Sequence, residues 1–62
     1  MLQIHVVPTA GQWTVSAPER ESSFWGSEWD AVRFARYIGE RAGSAEIHVF
    51  GPDGLLRTER VG

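Results

Sequence analysis

The chain has no cysteine and no lysine among its 62 residues. Without thiols it can form neither a disulfide nor a thiolate-bound zinc site, the two staples small folds most often use. Without lysine, positive charge rests on six arginines against eight acidic side chains, a net of −2. A dedicated nucleic-acid binder usually presents a basic face, and this balance argues against one. No run approaches the roughly 18 apolar residues of a membrane-crossing helix. The opening MLQIHVVP lacks the basic and long apolar regions of a secretory signal, so a cytoplasmic location is expected.

What the chain does have is aromatic: three Trp, three Phe and one Tyr. A chain of about 60 residues buries only roughly 60% of the surface its unfolded form exposes. A single domain over residues 1–62 is expected, steadied by an aromatic core, by self-association, or by both.

The pattern along the chain predicts an α+β fold. Leu2, Ile4 and Val6 alternate with Gln3 and His5, the period of a half-buried strand. Pro8 should end it, because proline cannot donate to a central ladder. Thr9 to Gln12 reads as a turn, with Gly11 free to take a positive φ. Trp13, Val15 and Ala17 then alternate as a second strand, so the first quarter of the chain is an antiparallel hairpin with Trp13 as its core anchor. Residues 18–21 form a polar break, and 21–25 read as a short third strand stopped by Gly26 and Ser27.

Ser27 followed by Asp30 fits a helix N-cap, and the helix should run from Glu28 to Arg41 or Ala42 and close at Gly43. On a helical wheel Ala31, Phe34, Ala35, Ile38 and Ala42 share one face, with Val32 and Tyr37 at its margins. Trp29, Arg33, Arg36 and Glu40 lie opposite. Glu46–Phe50 is a strand with Ile47 and Val49 on one face, Gly51-Pro52-Asp53-Gly54 a turn, and Leu55–Thr58 a last short strand. The expected architecture is a small antiparallel sheet of four to five strands, ordered β-β-(β)-α-β-β along the chain, with one helix packed on one face.

In chain order stand HVVP at 5–8, WTV at 13–15, Phe24, DAVRFAR at 30–36, EIHVFGPDG at 46–54 and LLR. This set resembles the short bacterial proteins grouped as domain-of-unknown-function family 2188 over nearly the whole chain. The resemblance implies a small antiparallel sheet with one helix packed on it. It implies no activity, and so no catalytic residue.

Chemistry-bearing residues are few. His5 and His48 are the only histidines, each on a strand and pointing away from the core side. If their strands are neighbours, the pair plus Glu46 approaches a metal site but falls short of the three or four converging ligands one needs. Two solvated or cross-strand-paired histidines is the simpler expectation. Ser22, Ser23 and Ser27 have no histidine placed to activate them, and a pocket of about 300 Å³ is hard to fit into so small a fold. No enzyme activity and no cofactor are expected. The strongest lead is the outer helix face, where Trp29 and Arg33 stand one turn apart, Arg36 follows, and Trp25 lies just outside the helix. Arg33 should stack on Trp29, and Arg36 should pair with Glu40. Tryptophan and arginine dominate binding hot spots, so this set is expected to be an interaction surface for a protein partner. Unguarded sheet edges favour a homodimer. The competing expectation is a nucleic-acid-binding accessory domain using the sheet face or Arg33, Arg36, Arg41, Arg57 and Arg60.

Overall fold

Five strands and one helix form along the chain: β1 (Leu2–Thr9), β2 (Gln12–Ser16), β3 (Ser23–Trp25), α1 (Glu28–Arg41), β4 (Ala45–Gly51) and β5 (Gly54–Val61). They are seen in a computed structural model that describes residues 1–62. The strands make one open sheet in the order β3-β2-β1-β4-β5, with α1 packed on one face.

The sheet is mixed rather than purely antiparallel. β1 and β4 run parallel, with Ile4 opposite Ile47 and Val6 opposite Val49, while every other pairing is antiparallel. Parallel neighbours need a crossover connection, and α1 is part of the one used here. Because side chains alternate along a strand, one face of these strands carries Ile4, Val6, Val15, Ala45, Ile47 and Val49, all buried. They meet Ala31, Val32, Ala35 and Ile38 of the helix. Each buried valine or isoleucine contributes roughly 1.5–3 kcal/mol.

The β1–β2 hairpin is tighter than the proline suggests. β1 runs through Pro8 to Thr9, with Pro8 opposite Trp13. The proline is tolerated because pairing with β4 extends only from Leu2 to Val6, so its missing N–H faces no partner strand. Ala10 and Gly11 fill the two-residue turn with φ of 48° and 83°. Positive φ at both central residues is the type I′ form, whose twist matches that of the strands it joins.

Ser27 caps the helix: its hydroxyl accepts the Asp30 N–H at 3.2 Å and also donates to the Asp30 carboxylate. Gly43, at φ 96°, follows the C-cap Ala42 as expected. The buried stripe is narrower than the wheel indicates at its ends. Ala42 is exposed, because it lies beyond the last turn that overlies the sheet, and Phe34 is only half-buried. Gly39 takes a buried place that the wheel does not mark. A Cβ built there would stand 3.1 Å from the Ala45 Cβ and 3.5 Å from that of Val61, so the missing side chain lets the helix settle onto β4 and β5. β5 accordingly extends past Thr58, pairing Arg60 with Glu46 and Val61 with Ala45.

Candidate interaction surface

The two flanks of α1 differ in chemistry. On the flank toward β5, Arg36 does not reach Glu40 but bonds the Glu59 carboxylate at 2.9 Å. Glu59 also receives Arg57 at 3.0 Å, and Arg57 reaches back to Glu28 at 3.1 Å. This chain of ions laces helix to strand. Glu59 lies under the helix edge, where burial alone would raise its pKa, but hydrogen bonds from Arg57 and Arg36 outweigh that and hold the carboxyl below its ordinary value of 4.5. Arg57 is raised in turn, first by Glu59 and then by Glu28.

The flank toward β3 is aromatic. Trp13 and Trp25 are register partners, so Trp25 faces the helix side, where its ring lies 4.9 Å from that of Phe34. Its indole N–H donates to the Ser23 hydroxyl at 2.9 Å, fixing the ring's orientation. Phe34 is followed along the helix by Tyr37, with ring centroids 6.4 Å apart. Trp25, Phe34, Tyr37, Asp30 and Arg33 together line an open groove of about 340 Å³ between the helix and the edge strand. A furrow of this size escapes the volume limit expected of so small a fold because it lies on the surface rather than within the core.

The four residues expected to form one surface therefore divide. Trp29 is 66% exposed with the Arg33 guanidinium 4.8 Å over its ring, as expected. Arg33 joins that pair to the groove. Trp25 is half-buried against Phe34 rather than bare, and Arg36 belongs to the opposite, ionic flank. Three groove residues, Asp30, Phe34 and Tyr37, carry no sequence signal for this role. Phe34 reads as core and Tyr37 as its margin, and only the placement of β3 beside the helix turns them into a wall.

The open face of the sheet holds both histidines. His5 and His48 are register partners, their rings stacked with centroids 5.2 Å apart. The His48 Nε2 lies 2.6 Å from the Gln3 side-chain oxygen, and its Nδ1 3.3 Å from the Thr58 hydroxyl. Both ring nitrogens of His48 thus have hydrogen-bonding partners on the open face of the sheet. No group of three or more histidine, aspartate or glutamate side chains is clustered closely enough to hold a metal ion. Glu46 is lowered by hydrogen bonding from Gln3 and then from Arg60. Ser16 stands across from His5, but no hydrogen bond joins them into a nucleophile–base pair.

The class defined here is a two-layer α+β domain: an open five-stranded mixed sheet, one helix on one face, and an aromatic groove at the β3 edge. Residues 4–61 match the family model described as an uncharacterized protein conserved in bacteria, DUF2188, and the chain belongs to that family. No curated protein and no solved structure matches the chain. No helix is long and apolar enough to cross a membrane.

Proposed function

We propose that this chain is a non-enzymatic protein-interaction module that receives an extended segment alongside β3. The observation that carries the reading is the contrast between its two sheet edges. β5 is guarded by Arg57, Glu59 and Arg60 and by an irregularity in its pairing at Val49/Phe50, devices that discourage a further strand. β3 reads Ser-Phe-Trp, with no charge and no proline, and has a strand on one side only. Its faces are both aromatic: Trp25 lies toward the groove, and Phe24, 61% exposed, lies on the open face.

Strand addition joins backbone hydrogen bonds at a free edge to pockets for alternate side chains. Here one set of alternate side chains would enter the groove against Trp25, Phe34 and Tyr37, and the other would lie on Phe24. Arginine engagement favours this reading over nucleic-acid binding. Arg36, Arg57 and Arg60 are held by Glu59, Glu28 and Glu46, while Arg33 and Arg41 lie over Trp29 and Tyr37.

The test is titration of an isotopically labelled chain with an alternating valine–threonine peptide, followed residue by residue by NMR. Shifts concentrated in 23–25 and 30–37 are expected. Shifts along β5 instead, or none at peptide saturation, would refute the reading. A parallel titration with single-stranded DNA or RNA at low salt should leave the spectrum unchanged.

A further inference from the structure

The extended segment that best fits this edge is β3 of a second copy, and we infer that the chain forms a two-fold dimer by β3–β3′ pairing. The inference rests on the strand-addition reading and names its occupant. Antiparallel pairing about an axis through Phe24 sets Phe24 against Phe24′ on the open face. On the helix side it sets Ser23 opposite Trp25′ and Trp25 opposite Ser23′. No charged side chain is placed opposite another, and the two sheets continue into one of ten strands.

An axis perpendicular to the sheet keeps both helices on the same face. Their aromatic flanks, each bearing Trp25, Phe34 and Tyr37, then turn toward each other over the new strand pair. A two-fold contact is made by one patch meeting itself, so the patch has to be self-complementary. This groove carries one carboxylate, Asp30, and one guanidinium, Arg33, a neutral pair one turn apart on the helix. It is matched by its own image, whereas a wholly basic or acidic groove would repel its copy.

The area is adequate. A stable interface buries at least about 1,000 Å² in total, or about 500 Å² from each copy. That is roughly one eighth of the 4022 Å² surface of the chain. Aromatic side chains bury about 150–250 Å² each, so the exposed parts of Phe24 and Tyr37 offer about 200 Å² around this edge, to which Asp30 and Arg33 of the groove add. The rims of Trp25 and Phe34 and the β3 backbone add the rest.

The experiment is sedimentation equilibrium of the full chain over a wide concentration range, with F24K, Y37K and L55K beside the unsubstituted protein. Phe24 and Tyr37 are exposed and lie outside the buried core, and Leu55 marks the far edge on β5. The unsubstituted chain and L55K should reach about twice 6.9 kDa. F24K and Y37K, checked by circular dichroism for retained folding, should weaken the dimer by about tenfold or more. A dimer disrupted by L55K but indifferent to F24K and Y37K overturns the inference. A chain that stays monomeric throughout also overturns it. In that case, capture of the valine–threonine peptide at 23–25 would leave strand addition standing, and failure to capture it would remove both readings.

Discussion

The Arg36 guanidinium lies 2.9 Å from the Glu59 carboxylate, across 23 positions of sequence, and fastens the helix to the last strand. Glu59 is ionised more readily in the folded chain than in the unfolded one, because Arg57 and Arg36 outweigh the effect of its burial. The stability it contributes is therefore fully present above its unfolded value and is lost as pH falls through the lower, folded one. E59Q should cost about 0.5–1 kcal/mol near neutral pH, in the range of partly exposed ion pairs. The gap between the variant and the unsubstituted chain should close as pH falls below 4.5. Thermal melts across an acid series check both the size and the sign, and added salt should narrow the gap at neutral pH.

Thr14 presents the opposite situation. Its hydroxyl oxygen is shut off from solvent and has no hydrogen-bond partner, with Phe24 and Val7 as register neighbours on either side. An unmet buried polar group costs about 1–3 kcal/mol. Valine keeps the β-branched shape without the hydroxyl, so T14V should raise stability by about 1 kcal/mol. In a domain this small that is a rise in Tm of about 4–8 °C, and a fall would show that the hydroxyl is satisfied in solution.

Ala10 takes φ 48° at the first central position of the hairpin turn, where an L-residue with a plain methyl side chain is strained. Asparagine tolerates this region and is favoured before glycine in type I′ turns. A10N should stabilise the hairpin by about 0.5–1 kcal/mol, read by denaturant midpoint with an unchanged slope. A10V should destabilise, since a β-branched residue is excluded more strongly from positive φ.

Gly39 depends on proximity rather than on φ. Its absent Cβ would meet Ala45 at 3.1 Å, and larger groups would run into Val61 as well. G39L should cost about 1–3 kcal/mol through overpacking, despite the better helix propensity of leucine. If G39L is neutral or better, the helix does not sit so close to β4 and β5.

Much of the fold is legible in local pattern, and the limits of that legibility have physical causes. The period-2 runs around Ile4, Val15 and Ile47 mark strands whose apolar face is buried, and Ser27 and Gly43 mark the helix ends where backbone groups lack partners. What the pattern does not contain is which strands meet. The parallel β1–β4 pairing depends on a crossover over nearly 40 residues, and local periodicity carries no information about it. The partner of Arg36 follows from that topology too. The nearest carboxylate along the helix is Glu40, but β5 brings Glu59 closer. The groove is hidden for the same reason, since Phe34 reads as core on any wheel until β3 is placed at the sheet edge. The stacked histidines are legible only in part. Their outward direction follows from alternation, but their contact needs the strand order.

The two tryptophans around the helix start offer the sharpest separation of roles. Trp29 is 66% exposed and its one specific contact is Arg33 over its ring, an interaction of about 0.5–1 kcal/mol. Trp25 is half-buried, stacked near Phe34 and tied to Ser23. W29A should thus change folding stability by no more than about 1 kcal/mol. W25A should cost about 1–3 kcal/mol, below the range for a fully buried tryptophan because part of its ring already meets water. Denaturant unfolding followed by circular dichroism separates the pair without relying on indole fluorescence. A large loss in W29A would place that side chain in the interior, which the helix register forbids, because Ala31 and Ile38, on the side of the helix opposite Trp29, already fill the buried stripe.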